Sequence, residues 1–512
     1  LIEIKAYSGH IRNHKSLCEE LGIKTGLSRA DRESEIIVKG YEKWGYSLPS
    51  HIYGMFAFVL YDSENDTYIL FRDQFGTVPL YYYETADGKL LFGTQIRDIM
   101  KQDGFIKALN EKMLSIYLTM TYTTGDETFF EGVKKLMPGR YMVWKNGKKE
   151  VVRYWKPTFN PDNTKTLDEW AKELHETVKK VMLEVKDEDE QVESFLSGGV
   201  DSSYVLAMSD AAACNSVGYN DERLDESRIA VKTAEILGRK FNRCLVEPED
   251  YFGAVRYVME NMEVPLGDAS AVAFALGCKA TAKGTKICYS GEGADEFFGG
   301  YNMYRNAERY GDNLKTFYVG NTNIMKEEEK QKILKNYNGD FLPIDLVKSI
   351  YEENEGLDPL SKMSDVDIQV WLEGDIYLNV DKMSKAAGLE VRMPLTDLRI
   401  FDIASRMPSK YKVNSQDEHN KLALRRAALN VLPEEIAYRK KLGFVVPIRM
   451  WMADERYNGD VRRLFDSDIA EKFFNVDEIK AIFDEYIGGN SDNWRKVYVI
   501  YTFLLWYEIY FG

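Results

Sequence analysis

The sequence predicts a doubly wound parallel α/β sheet preceded by an α+β layered domain. Three observations carry that prediction. Val192-Glu193-Ser194-Phe195-Leu196-Ser197-Gly198-Gly199-Val200-Asp201-Ser202-Ser203 passes from a short apolar run through two glycines into hydroxyls and an acid, the pattern of a buried strand, an anion loop and a helix start. Lys286-Ile287-Cys288-Tyr289-Ser290-Gly291-Glu292-Gly293-Ala294-Asp295-Glu296-Phe297-Phe298-Gly299-Gly300-Tyr301 repeats the same order of strand, small residues and acids. Residues 1–155, in contrast, read as runs of hairpins with only two short helical stretches.

The first loop carries the chemistry. Gly198 and Gly199 remove side chains that would keep a phosphate from the backbone, and Ser197, Ser202 and Ser203 add hydroxyl donors at the positive end of the following helix. No lysine follows the glycines, so this is not a Walker loop, and a separate cation must balance the phosphates. Asp201 is placed to bind one, with Mg²⁺ the expected ion. In an open parallel sheet ligands bind beyond the carboxyl ends of the strands. Two such loops would set Asp201 and Asp295 on opposite sides of one pyrophosphate, as a two-carboxylate metal site completed by the phosphates.

S-G-G-V-D-S-S followed by S-G-E-G-A-D-E-F-F-G-G-Y resembles the synthetase domain of the asparagine synthetases, whose relatives include the β-lactam-forming synthetases. The resemblance implies a sheet of the adenine-nucleotide α-hydrolase type with added helices. It also implies ATP and Mg²⁺, and activation of a carboxylate by adenylylation with release of AMP and pyrophosphate. Leu196 and Val217 carry over as adenine contacts, and Gly218 as a point of close approach. Ser197, Gly198, Gly199, Ser202, Ser290 and Gly291 surround the phosphates, and Asp201 and Asp295 hold the metal. Glu292 acts at the acyl-adenylate and in proton removal from the amine. Pro265-Leu266-Gly267-Asp268-Ala269-Ser270 resembles the E-P-x-x-D-P-S turn, which places Asp268 near substrate. Lys421 and Arg425, taken alone, read as surface cations. Arg439-Lys440-Lys441-Leu442-Gly443-Phe444 resembles R-x-K-x-G-F and makes Lys441 the lysine that reaches the phosphates. Glu390 and Arg392, in the E-x-R-x-P turn, are expected to support the fold by pairing.

The first 155 residues resemble the amidotransferase domain of the same family through G-M-F-A-F at Gly54–Phe58, R-D-x-x-G-x-x-P-L-Y-Y at Arg72–Tyr82 and P-G-R-Y at Pro138–Tyr141. That implies an Ntn-hydrolase-like αββα domain, here with its start missing or divergent. The glutamine site departs from the pattern. Ser8-Gly9-His10-Ile11 stands where N-G-E-[IL] is usual, Glu33 replaces an Asp, and Thr94-Gln95 replaces Ser-Glu. Hydrogen bonds to charged groups contribute roughly 1.5–3 kcal/mol each, so these changes imply a degenerate glutaminase site built around Ser8, Gly9, His10 and Glu33. The expected organisation is 1–155 amidotransferase-like, 156–166 linker and 167–512 synthetase.

Composition excludes some alternatives. The balance of 82 acidic and 67 basic residues, net −15, shows no basic stripe for nucleic acid. Val497–Tyr507 is too short to span a bilayer, so no membrane association is expected. Five cysteines without a C-x-x-C pair suit a reducing cytoplasm. The small-molecule partners implied are aspartate, ATP and glutamine or ammonia, with a homodimer as the open oligomeric state. Three rival functions stay open at this point: an amide or lactam synthetase on another carboxylate, a tRNA-modifying adenylylating enzyme, and an inactive nucleotide-binding homologue. The tRNA enzyme is disfavoured by charge, by the lack of a catalytic cysteine pair and by the attached amidotransferase-like domain.

Overall fold

The computed structural model describes residues 1–24, 26–187, 190–414, 419–440, 443 and 445–512. Eight strands build the N-terminal part: β1 Ile2–Ile11, β2 Gly54–Asp62, β3 Thr67–Arg72, β4 Tyr81–Glu84, β5 Leu90–Gly93, β6 Val133–Lys135, β7 Arg140–Lys145 and β8 Lys148–Arg153. They form an antiparallel sheet in the order β1-β2-β3-β7-β8 and a smaller one in the order β5-β4-β6. The period-two alternation of β2 sorts its residues. Phe56, Phe58 and Leu60 pack with Ile36 and Ile37 of helix Arg29–Trp44, while Ala57 and Val59 face Tyr82 of the second sheet and Val78 and Leu80 just before it. Ser28 caps that helix by accepting from Asp31 N. The far face of the small sheet, through Tyr81, Tyr83 and Leu91, joins a core shared with helix Lys112–Met120 and the C-terminal helices.

Strand β1 runs on to Ile11, so Ser8, Gly9 and His10 lie within a strand. Gly9 is required there, because a Cβ at its φ of +147° would stand 2.0 Å from Met55 O on β2.

The C-terminal part holds five parallel strands: β9 Val192–Phe195, β10 Ala213–Gly218, β11 Lys240–Leu245, β12 Ile287–Tyr289 and β13 Glu390–Arg392. Their order, β11-β10-β9-β12-β13, shows the doubly wound design. The chain leaves β9 in one direction for β10 and β11, then returns to the other side for β12 and β13. The reversal opens a crevice between the carboxyl ends of β9 and β12, the place where such sheets bind ligands. The two Gly- and acid-rich loops follow those two strands.

Buried ion pairs tie the two parts together. Glu373 meets Arg72 at 2.9 Å and Lys135 at 2.7 Å, and Asp397 meets Arg12 at 3.0 Å. Glu263 accepts from Arg97 and Lys382. The apolar run Val497–Tyr507 is the buried part of helix Trp494–Phe511, which packs Trp506 on Phe129 and Phe130. No helix among the described residues is long and apolar enough to cross a membrane. All five cysteines are free. Lys330 is fully buried and donates to Ser115 O, because its helix packs against the N-terminal part.

Candidate active site

A cavity of about 450 Å³ opens at the β9/β12 crevice. Its walls include Leu196, Ser197, Asp201, Ser202, Val217, Asp268, Ser290, Gly291, Glu292 and Asp295, residues from four separate segments that the sequence alone singled out. The two loops meet because Gly291 has no side chain: a Cβ there would come within 3.0 Å of Asp201 C and Ser202 N. Ser197 N–H donates to Ser202 Oγ at 3.1 Å and Gly199 N–H to Ser197 Oγ at 3.3 Å, so the loop's hydroxyls and amides converge. Gly198 holds φ +85° against Ile229, shaping the turn behind the cavity wall.

Asp201 and Asp295 converge on a side chain read as a surface cation. Lys421 is 2% exposed, and its ammonium lies 2.5 Å from Asp201 Oδ2 and 2.8 Å from Asp295 Oδ1. It holds φ +60°, a left-handed conformation that costs a non-glycine residue about 1 kcal/mol or more. Room for the trio comes from Gly300, whose Cβ would stand 1.8 Å from Asp295 Oδ1 and 2.2 Å from Lys421 Cε. Arg425 is also buried, and holds the carbonyls of Asn420 and Ala437. The sequence offered no signal for Lys421 beyond its spacing of four from Arg425. Trp371, Asn379 and Phe274 also line the cavity and were likewise not foreseen.

The two carboxylates fit a divalent ion. Asp201 Oδ1 is buried with no hydrogen-bond donor among the described residues. No group of three or more His, Cys, Asp or Glu side chains among the described residues could hold a metal by itself. Two carboxylates with substrate phosphates filling the rest of the shell is a common arrangement for Mg²⁺.

Other expected contacts differ in kind. Leu196 N–H donates to Asn215 O at 2.8 Å and, with Val217, forms the apolar end of the cavity. Gly218 is not brought to the wall: a Cβ there would meet Arg243 Nε and Ser227 Oγ at 2.5 Å, so the close approach is by protein side chains. Asp268 accepts from Ser270 N–H and Oγ, and burial raises its carboxyl above the usual range. Glu292 lines the cavity beside Ser290, whose Oγ donates to it at 3.3 Å. Lys441 lies outside the described residues. Arg392 pairs with Glu390 at 2.6 Å and Glu190 at 2.7 Å and supports the sheet edge.

A family model described as asparagine synthase matches residues 169–508, and one described as a glutamine amidotransferase domain matches residues 3–155. The chain belongs to the asparagine synthase family. Among its family relatives is asparagine synthetase (glutamine-hydrolyzing) 1 of Bacillus subtilis (strain 168), 30% identical over 98% of this chain and 85% of that protein. A putative asparagine synthetase (glutamine-hydrolyzing) of Mycobacterium bovis (strain ATCC BAA-935 / AF2122/97) is 28% identical over 99% and 84%. Asparagine synthetase (glutamine-hydrolyzing) 3 of B. subtilis is 25% identical over 85% and 74%.

In the amidotransferase-like part, the residues expected at the glutamine site hold one another and the synthetase part. Glu33 is 2% exposed, and accepts from Ile11 N–H at 2.9 Å, Tyr7 Oη at 2.8 Å and Arg29 Nε at 3.3 Å. His10 Nδ1 lies 3.4 Å from the same carboxylate. Arg29 reaches on to Gly9 O at 3.0 Å and to Glu390 at 2.7 Å. These residues form a buried brace between the two parts of the chain. Burial first, and then the charge of Arg392, pushes the His10 imidazole down to about 4, while Glu33, against the effect of its burial, is held at about 2 by His10 and Arg29. A base whose folded pKa is depressed favours unfolding as pH falls from its free value of about 6.5 towards 4. Denaturant unfolding is therefore expected to show about 2 kcal/mol less stability at pH 5 than at pH 7 from this group. His10→Asn should remove that part of the slope; an unchanged slope would contradict the assignment.

Proposed function

We propose that the chain amidates aspartate to asparagine at the expense of ATP, through β-aspartyl-AMP, using free ammonia as its nitrogen source. The observation that carries the synthetase reading is the meeting of Asp201, Asp295 and Lys421 in a cavity that Glu292 also lines.

The backbone and hydroxyls of Ser197–Ser202 hold the phosphates, with the apolar end at Leu196 and Val217 taking the base. The β-carboxylate attacks the α-phosphorus, the bond to the bridging oxygen breaks, and pyrophosphate leaves. Fixed positive charge at Lys421 stabilises the charge that develops there, an electrostatic contribution that pre-organised sites make large. Mg²⁺ bound by Asp201 and Asp295 would add Lewis-acid stabilisation of the same phosphates. Ammonia then attacks the acyl carbon, the bond to AMP breaks, and Glu292 accepts the proton lost by nitrogen. Lys441 and Asp268 belong to the same reading, as a second phosphate cation and a group near the amino acid.

The nitrogen source is read from the brace. Ser8, His10 and Glu33 stand where the family holds glutamine, and the carboxylate of Glu33 is committed to Ile11, Tyr7 and Arg29. The boundaries 1–155, 156–166 and 167–512 accord with the two family matches. A reducing cytoplasm accords with five free cysteines. A homodimer is the assembly to check by light scattering.

The test is asparagine, AMP and pyrophosphate formation from aspartate and ATP with either ammonium or glutamine. The expected rate with glutamine is at least about tenfold lower, the size of effect that losing one charged hydrogen bond produces. Equal rates would refute the ammonia reading and leave the synthetase reading intact. No AMP with either donor would refute the synthetase reading.

A further inference from the structure

A second cavity, of about 150 Å³, lies where the amidotransferase-like part meets the synthetase part, and it shares no lining residue with the β9/β12 cavity. Arg140, Arg153 and Trp155 line it from the first part, and Ser349, Glu353 and Gln369 from the second. Ser349 and Glu353 lie one turn apart on helix Pro343–Glu353. The two arginines meet because of the hairpin that carries them. Asn146 and Gly147, both at positive φ, make the tight turn between β7 and β8, and the register then sets Arg140 directly opposite Arg153. Like charges so placed destabilise a sheet unless something compensates them.

The compensation is incomplete. Arg153 donates to Glu353 at 3.0 Å and to Gln369 Oε1 at 3.0 Å, and Glu353 is shared with Lys156 at 2.9 Å. Arg140 donates to Pro138 O at 2.9 Å, and no carboxylate among the described residues pairs with it. Arg153 Nε is buried without an acceptor among the described residues. Three cations therefore face one carboxylate. Asp126 is engaged by Lys134 at 3.2 Å, and Asp365, pushed up to about 7 by burial, accepts from Gln369 and Asn354. Burial, and then the charge of Arg153, pushes the Arg140 guanidinium down to about 10. Positive charge and N–H donors without acceptors suit an oxyanion, because the planar fork of arginine matches carboxylate and phosphate. The cavity is too small for a nucleotide, since pockets for larger organic ligands start at about 300 Å³.

We propose that Arg140 and Arg153, with the Ser349 hydroxyl, form a site for a small dianion that bridges the two parts of the chain. Inorganic phosphate and short dicarboxylates share that chemistry. Bound there, the anion completes the charge balance and ties the β7/β8 hairpin to helix Pro343–Glu353, so its concentration sets how firmly the two parts hold together.

Thermal unfolding of the full chain in sodium phosphate, sodium succinate and sodium chloride at equal ionic strength tests the site. Phosphate or succinate should raise the wild-type Tm by about 2 °C or more over chloride, as a ligand binding only the folded state does. General exclusion of such salts from the surface, and phosphate held by the loop after β9, would act on any variant alike, so Arg140→Gln is compared in the same salts and should lose most of the increment. In chloride Arg140→Gln should unfold at or above the wild-type temperature, because it removes one of two facing charges. A fall of about 2 °C or more there would assign Arg140 to the fold through Pro138 and overturn the proposal. Proteolytic cutting within residues 156–166 reads the site locally, since Trp155 and Pro157 border the cavity. The effective anion should slow that cutting by about threefold or more in the wild type and leave Arg140→Gln unchanged. The larger effect of phosphate or of succinate assigns the source. Equal Tm increments in the two proteins, or equal changes in cutting, would overturn the proposal.

Discussion

Asp295→Asn is expected to lower AMP release by about a thousandfold or more while leaving the fold intact. Two carboxylates converge on one cationic centre in the wild type, and the amide leaves Lys421 with Asp201 alone. Loss of one pre-organised electrostatic group commonly costs about 10²–10³ in rate, and a metal site stripped of one of two protein ligands loses more. Because the amide has the carboxylate's shape, circular dichroism and the unfolding transition should stay near those of the wild type. The informative readout is a magnesium titration of AMP release. A variant whose activity returns at high magnesium supports a ligand role for Asp295. A variant with full activity at ordinary magnesium would remove Asp295 from the site.

Glu373→Ala should cost about 3–5 kcal/mol, the usual effect of removing one partner from a buried ion pair and leaving its counter-charges enclosed. Arg72 and Lys135 approach Glu373 from the N-terminal part, and all three side chains are at most 4% exposed. Burial already lowers the Lys135 ammonium, and without Glu373 it would be driven towards its neutral form. The damage should fall on the contact between the two parts. Limited proteolysis should cut residues 156–166 faster in the variant, and denaturant unfolding should begin earlier. The double change Glu373→Met with Lys135→Met, which removes opposite charges together, should recover part of the loss. Wild-type protease resistance in Glu373→Ala would show that the pairs do not hold the two parts together.

The two Gly- and acid-rich loops were legible in the sequence because their pattern is local: glycines, hydroxyls and acids adjacent in the chain stay adjacent in space, and β9 and β12 place them. The layered N-terminal sheets were legible for a similar reason, since Phe56, Phe58 and Leu60 alternate with Ala57 and Val59 at the strand period. Lys421 was not, because it reaches Asp201 from 220 residues away and in a backbone conformation that lysine rarely adopts. Lys330 and Glu373 look like surface charges in a helical pattern, and only the packing of one part against the other encloses them. Gly218 was expected as a point of close approach for the nucleotide, and the side chains that approach it are those of Arg243 and Ser227.

Adenylylation of the carboxylate in the β9/β12 cavity leaves an isotopic signature. Aspartate labelled with ¹⁸O in its β-carboxylate, turned over with ATP, magnesium and ammonium, should transfer one labelled oxygen to AMP, seen by mass spectrometry, with none in pyrophosphate. Label in inorganic phosphate with ADP as the product, or product formation with unlabelled AMP, would contradict it.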